Sequence, residues 1–301
     1  MRIDRMKVAV FYYTQSGQAL NVAKSICRDM KACVVYKRIV PLQAYPFPWN
    51  KNEFFDVFPE ARLGYPPSGI ENMDLTDVED ADLIIVVGQS WFLSPSLPLQ
   101  SFFADKQIKE YLRERNVVFV NACRNMWLMT SRRIKGYLEA THANFAGHIV
   151  MQDDRPNLIS ALTVIRWLMY GKKEASWLFP DAGISDEDIS TGCRFGDIIQ
   201  RTWNDGDLIH LQANLLSAGA IKYKPSVLFL EKIGYRMFGL WAVFIRKKGG
   251  LGDICRRKRI NMFYCYLLFV LFLVSPFGQI LFYLTYPFHQ VNRNKQMDCN
   301  L

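Results

Sequence analysis

Apolar positions in the first half of the chain form short runs separated by stretches of helical periodicity. Residues 8–12 (VAVFY) are β-branched and aromatic. A polar turn, 14–18 (TQSGQ), follows, and then 19–30, where Leu20, Ala23, Ile26 and Cys27 recur at helical spacing. This predicts a strand, a tight loop and a helix. A second strand is expected over 33–39. Residues 42–67 are rich in proline and aromatics (YPFPW, FFDVFPE, YPP) and read as a long excursion of the kind that covers a site. Residues 83–88 (LIIVVG) are apolar without alternation, as in a parallel strand buried on both faces. A helix over 98–114, a strand over 117–121 (VVFVN), a helix over 131–139 and a strand over 147–152 complete the alternation. The expectation is an α/β fold with a doubly wound, parallel, five-stranded sheet occupying 1–155.

The second half is less regular. Asn157–Tyr170 is apolar nearly all round, with Arg166 its only charge, and suits a core helix and a membrane-surface helix equally. Residues 185–203 open with serine and three acids, a helix start, and 208–218 read as another helix. Together 156–245 are expected to be a helical extension completing the domain. Residues 262–286 contain no charge. At about 1.5 Å per residue they are long enough for a hydrocarbon core of about 30 Å. The expected order is therefore a basic juxtamembrane segment 246–259, a transmembrane segment 260–287 and a tail 288–301. Ser275-Pro276-Phe277-Gly278-Gln279 interrupts the apolar run, so a kinked single span and a re-entrant hairpin are both open. Basic residues 256–259 mark a cytoplasmic side. The expected location is thus the cytoplasmic face of the inner membrane, with membrane lipid as a partner and Trp241 and Phe244 as added interfacial surface.

Composition narrows the function classes. Half of the 301 residues are hydrophobic and 22% are charged, which excludes a disordered chain. The formal charge of +9 is uneven: 1–245 carry +2, whereas 246–259 carry +6. A nearly neutral body excludes nucleic acid as a partner. Seven scattered cysteines form no CxxC pair and no Cys/His metal spacing. They fit a reducing compartment and exclude a fused iron–sulfur module. The N-terminus runs into a short strand and does not read as a signal peptide.

Candidate chemistry lies in three loops. Thr14, Gln15, Ser16, Gly17, Gln18 and Ala19 join the first strand to the first helix, where unpaired N–H groups and the positive end of the helix dipole favour an anion. Gly17 permits close backbone approach. This turn resembles the flavodoxin fingerprint, Thr/Ser-x-Thr/Ser-Gly-x-Thr/Ser, at Thr14, Ser16 and Gly17. Ala19 stands where the last hydroxyl belongs, a loss of about 1.5–3 kcal/mol for a hydrogen bond to a charged group. The resemblance implies FMN as cofactor. In a flavodoxin-like sheet the ligand lies outside the strand ends where the strand order reverses. Gln89, Ser90, Trp91 and Phe92, after the third strand, then offer aromatic surface and backbone groups to the flavin ring. Ala122, Cys123, Arg124 and Asn125, after the fourth, lie where flavodoxin relatives contact the pyrimidine end. Arg124 and Asn125 are the catalytic candidates, able to stabilise negative charge on reduced flavin. Cys123 is an alternative nucleophile, with no histidine near it in sequence. Asp153, Asp154 and Arg155 follow the fifth strand and read as solvated charges.

Over essentially its whole length, through VFYYTQSGQ, YPFPWNKNEFFDVFPE, GQSWFLSPSLP, NACRNMWL, NLISALTVIRWLMYGKK and SPFGQILFYLTYP, the chain resembles the bacterial dialkylresorcinol condensing enzymes, which are flavodoxin-like. The resemblance implies a role in dialkylresorcinol lipid and pigment biosynthesis, with a partner ketosynthase building a cyclohexanedione from two acyl chains. Condensation needs a cysteine with histidine partners, a set this chain lacks. Aromatisation of the dione removes a hydride and a proton, which suits FMN. The expected function is therefore a membrane-anchored, FMN-dependent oxidoreductase acting on a hydrophobic small molecule. Two alternatives stand beside it: a membrane electron carrier or quinone reductase, and a flavin-free scaffold for the ketosynthase.

Overall fold

A computed structural model describes residues 5–274 and 277. The strands are β1 (Lys7–Tyr12), β2 (Cys33–Arg38), β3 (Leu83–Trp91), β4 (Ser94–Pro95), β5 (Asn116–Cys123) and β6 (Asn144–Gln152). The helices of the α/β half are α1 (Gln18–Cys27), α2 (Lys51–Asp56), α3 (Phe58–Leu63), α4 (Leu97–Ala104), α5 (Lys106–Leu112) and α6 (Leu128–Ala140). Those that follow are α7 (Asn157–Tyr170), α8 (Asp186–Ser190), α9 (Cys193–Asn204), α10 (Leu211–Ser217), α11 (Pro225–Arg246) and α12 (Arg257–Phe269).

The sheet runs β2-β1-β3-β5-β6, every neighbouring pair parallel, and β4 folds back antiparallel on β3. This is the flavodoxin-like order of a doubly wound sheet. Alternation along each strand divides the core in two. Val8, Val10, Ile85, Val87, Val118 and Val120 face α1, α9 and α10. Ala9, Phe11, Ile84, Val86, Val117 and Phe119 face α4, α5 and α6. Apolar side chains on both faces explain the unbroken hydrophobic runs.

Several elements differ from their sequence expectation. The helix expected over 98–114 is two, because Asp105 turns extended (φ −64°, ψ 138°) and its carboxylate accepts the Ile108 N–H at 3.1 Å, capping α5. The stretch 185–203 likewise divides into α8 and α9 at Gly192. Strand β3 runs on past Gly88 to Trp91. The excursion 42–67 contains α2 and α3, and α11, with glycines at 234 and 239, was not foreseen as one helix.

The chain after β6 also protects the sheet edge. The His148 N–H donates to Gln212 Oε1 at 2.5 Å and the Val150 N–H to the Ala220 carbonyl at 2.8 Å, so two groups of an edge strand are satisfied. Where α9 crosses α1, a Cβ on Gly196 would lie 1.9 Å from the Ile26 carbonyl oxygen. Alanine is favoured over glycine in a helix by about 1 kcal/mol. Overpacking costs about 1–3 kcal/mol, and a backbone neighbour cannot swing aside. Gly196→Ala is therefore expected to lower stability in urea unfolding.

The C-terminal expectation requires correction. Among the described residues no helix is long and apolar enough to cross a membrane, which overturns the transmembrane segment 260–287 and the location derived from it. Of that apolar stretch, 275–276 and 278–286 lie outside the described residues, as does the tail 288–301. The described part is bound to the body. Ile260 and Phe263 are buried, and the Phe263 ring stacks on Phe58 with centroids 3.8 Å apart and planes 3° apart. Arg256, expected to be a juxtamembrane charge, is fully buried. Its guanidinium donates to Asp56 Oδ1 at 2.7 Å and to the two Glu60 oxygens at 2.8 and 2.9 Å. Sequence hydropathy registered the apolar run but not the aromatic and acidic partners waiting on α2 and α3.

Candidate functional site

The strand register brings three loops to one end of the sheet. Tyr12 pairs with Val87, Gly88 with Asn121, and Cys123 with Gln152. The order reverses between β1 and β3, so the loops after β1, β3 and β5 flank one crevice.

The first loop leaves backbone donors unused. Gly17 has φ +87°, and a Cβ there would meet nothing within 4 Å. No side chain caps α1, so the N–H groups of its first turn keep their donor capacity. Thr14 Oγ1 accepts the Gly17 N–H at 3.0 Å and shapes the turn, while the part-exposed Ser16 makes no hydrogen bond among the described residues. The other three positions serve differently. Gln15 holds the excursion: its Nε2 donates to the Pro46 carbonyl at 3.1 Å and its Oε1 accepts the Trp49 indole N–H at 3.4 Å. Gln18 exchanges two hydrogen bonds with the Ile184 backbone, at 3.0 and 3.2 Å. The Ala19 methyl lies fully buried in the core beside Val22 and Ile26.

The second loop is a reversal of β3. Phe92 (φ 50°) and Leu93 (φ 61°) take the left-handed conformation without being glycine, a strain of about 1–3 kcal/mol each. Trp91 meets Tyr13, Tyr45 and Trp49 edge to face, with centroids 6.1, 5.2 and 5.6 Å apart. Phe92 lies 4.9 Å from Phe54 and 5.2 Å from Phe58. Both aromatics of this loop therefore pack on the excursion, Trp91 on Tyr45 and Trp49, and Phe92 on Phe54 and Phe58. Gln89 and Ser90 are half-buried. The Gln89 carbonyl accepts the Ser96 N–H at 2.9 Å, and Ser90 Oγ donates to Asn121 Oδ1 at 3.1 Å, tying this loop to β5.

The third loop begins with Ala122 and Cys123, both buried. Burial, with Glu231 nearby, pushes the Cys123 thiol far above its ordinary value, so it stays a thiol. His148 is pushed down to about 3 by burial and its Nε2 lies 2.9 Å from Ser131 Oγ. Among the described residues no hydrogen bond pairs Cys123 with a histidine. Arg124 Nη1 donates to the Asn157 carbonyl and Oδ1 at 2.8 and 2.9 Å, and Asn125 Nδ2 donates to the same Oδ1 at 3.1 Å. Burial lowers the Arg124 guanidinium to about 10, which leaves it cationic at neutral pH. Among the described residues no carboxylate lies within salt-bridge distance of it. Asn121 Nδ2 and Asn125 Oδ1 are buried without partners.

Three features of this end depart from the local sequence pattern. Asp153 is 1% exposed rather than solvated. Its N–H donates to the Arg124 carbonyl at 2.6 Å, and its carboxylate accepts Ser160 Oγ at 2.6 Å and Arg155 Nη1 at 3.1 Å. Asp154, opposed by burial but held by Lys222, Gln152 and Lys224, is drawn down to about 2. Asn157, Ser160 and Thr163 form the buried face of α7, while Ile159, Ile165 and Tyr170 are exposed. Their three-residue spacing on an apolar helix was the available signal, since a polar stripe there marks the side with polar partners.

Glu231 reaches the same loop from α11. Its buried carboxylate accepts the N–H groups of Leu128 and Met129 at 3.2 and 2.8 Å, capping α6. Burial raises it to about 7 from an ordinary 4.5, against the pull of those N–H groups. The folded chain thus binds this proton more tightly than the unfolded chain. The corresponding stability is fully present below the ordinary value and is lost as pH rises through about 7. Urea unfolding from pH 5 to 8 should show that decline in the wild type, and a flatter profile in Glu231→Gln.

No protein-family model and no curated protein matches the chain. Solved structures with a similar fold include a flavodoxin from the domain Archaea, 13% identical, covering 66% of this chain and 99% of that one with a TM-score of 0.38. A flavoprotein in complex with FMN from Lactobacillus acidophilus NCFM is 22% identical over 50% of this chain and 94% of its own, with a TM-score of 0.36. An azoreductase from Bacillus anthracis is 12% identical over 65% and 99%, with a TM-score of 0.32. The strand order and register carry the flavodoxin-like assignment by themselves.

Proposed function

We propose that this chain is an FMN-dependent oxidoreductase that aromatises an alkylated cyclohexanedione to a dialkylresorcinol. The observation that carries the flavin reading is the convergence, at the order-reversal crevice, of an uncapped helix start with an open left-handed Gly17 and a loop holding a cation and unpartnered amide atoms. The residues fit FMN. Thr14, Ser16, Gly17 and the first N–H groups of α1 suit its phosphate, and Asn121, Arg124 and Asn125 offer hydrogen-bonding groups that suit the polar edge of its ring. Trp91, Tyr45 and Trp49 supply aromatic surface.

Bound FMN would accept the hydride that leaves the dione ring. The chain's own part is electrostatic. Arg124, cationic and hydrogen-bonded to Asn157 rather than to a carboxylate, favours negative charge developing at this end of the crevice. Asn121 and Asn125 can orient it. Tyr13, whose hydroxyl is pushed far up by burial, stays protonated. A partner ketosynthase would supply the dione; among the described residues no hydrogen bond joins a cysteine to a histidine for the condensation itself. The cover formed by Tyr45, Trp49 and α7 supports an enclosed reaction over an exposed electron-transfer edge: the Trp49 N–H donates to the Leu168 carbonyl at 2.7 Å and Gln15 holds Pro46.

The test is spectroscopic. The purified protein should be yellow or become so on incubation with FMN. Anaerobic addition of a synthetic dialkyl cyclohexanedione should bleach it with formation of the resorcinol. A chain that takes up no FMN refutes the flavin reading. Bleaching by a nicotinamide nucleotide but not by the dione refutes the substrate.

A further inference from the structure

A chain of hydrogen bonds joins the phosphate end of the proposed site to its ring end through one side chain, Arg155. On the ring side the Asp153 N–H donates to the carbonyls of Arg124 and Cys123, at 2.6 and 3.3 Å, and so holds the backbone of the loop after β5. The Asp153 carboxylate, inaccessible to solvent, accepts Arg155 N and Nη1 at 3.0 and 3.1 Å. On the phosphate side the same Nη1 donates to the Gly183 carbonyl at 2.8 Å, and Nη2 pairs with Asp181. The next residue, Ile184, exchanges two hydrogen bonds with the Gln18 amide in the first turn of α1. Gly183 is left-handed (φ +81°), and a Cβ there would fall 2.8 Å from Gln18 Oε1 and 2.7 Å from a Trp167 ring carbon. That junction is closed to any side chain.

Resting on the FMN reading, we propose that Arg155 is a positioning residue that couples the two halves of the cofactor site: order imposed by the phosphate on 14–18 is passed to 122–125, so that phosphate and ring bind cooperatively. The arginine fork suits this. Its Nη1 engages the buried carboxylate and the backbone carbonyl while its Nη2 pairs with Asp181, a spread over two nitrogens that a lysine's single Nζ does not reproduce. Among the described residues none of the strap hydrogen-bonds to Ser16, Asn121 Nδ2 or Asn125 Oδ1, so its action is through the loops.

Two readouts test the coupling. The first uses the flavin-free protein. In Arg155→Met, amide exchange should rise about tenfold in both 14–20 and 121–127, while 97–112, on the opposite face of the sheet, stays unchanged. The second compares FMN with riboflavin, which lacks the phosphate. Coupling free energies of this kind correspond to about 5–150-fold, so the ratio of riboflavin to FMN dissociation constants should fall about tenfold in Arg155→Met. Gly183→Ala, which opens the same junction without altering charge, should lower it likewise. A general loss of structure would raise exchange everywhere and weaken both ligands equally. An exchange increase confined to one loop, or an unchanged ligand ratio in both variants, overturns the coupling. Wild-type protein that binds neither flavin refutes the FMN reading, and with it the cooperativity, whereas the exchange experiment still decides whether the two loops are joined.

Discussion

Arg256→Met should lower the stability of the folded chain by about 3–5 kcal/mol, the loss expected when one partner of a buried ion pair is removed. The guanidinium is wholly inaccessible and meets Asp56 and both oxygens of Glu60, whose side chain is 2% exposed. Removing it leaves Glu60 with Arg246 Nη1, at 2.9 Å on one oxygen and itself 38% exposed. Desolvation of the remaining carboxylate therefore dominates over the lost attraction. Urea unfolding measures the effect, and the double variant Arg256→Met with Glu60→Gln should recover a large part of it, because the uncompensated charge is gone. Full loss in the double variant would mean that packing, not charge, is what Arg256 supplies. The consequence reaches the site. The pair ties the start of α12 to α2 and α3, whose Phe55 and Phe58 support Phe92 in the strained turn after β3.

Ser16→Ala combined with Gly17→Val should abolish FMN retention through purification. Loss of a hydroxyl hydrogen bond to a charged phosphate costs about 1.5–3 kcal/mol. Forcing a β-branched residue into the left-handed region at φ +87° adds about 1–2 kcal/mol or moves the turn away from the phosphate. Together these weaken binding by about two to four orders of magnitude. Because a Cβ at position 17 meets no neighbour, the fold itself should survive, and circular dichroism should be unchanged. Riboflavin separates the effects, since it lacks the group this loop would hold and should lose little affinity. Normal FMN retention by the double variant would refute the placement of the phosphate.

Much of the fold is visible in local pattern. The apolar runs at 8–12, 83–88 and 117–121 state both that they are strands and that both their faces are covered, because no polar alternation interrupts them. The turn at Thr14–Gln18 announces itself by residue chemistry, with Gly17 falling where the left-handed conformation is needed. Asp105 shows the limit of periodicity: apolar spacing continues through it, but its carboxylate ends one helix and caps the next.

Side-chain roles were less visible, and for a uniform reason. Gln15 and Gln18 belong to the turn after β1 in sequence, yet their amides are used by Pro46, Trp49 and Ile184. Asp153 looked like a charge at a strand end and is instead a buried junction for Arg124, Arg155 and Ser160. Arg256 looked like a membrane-flanking charge and is buried against two acids about two hundred positions earlier. Hydrophobic period and turn chemistry act between near neighbours along the chain, so strands, helices and the turn at 14–18 follow from the order of residues. Which polar group meets which depends on partners brought together by folding over long sequence separations. Because burying a charge is costly without such a partner, it was assembly of the sheet and its helices that settled the fate of Asp153, Arg155, Glu231 and Arg256.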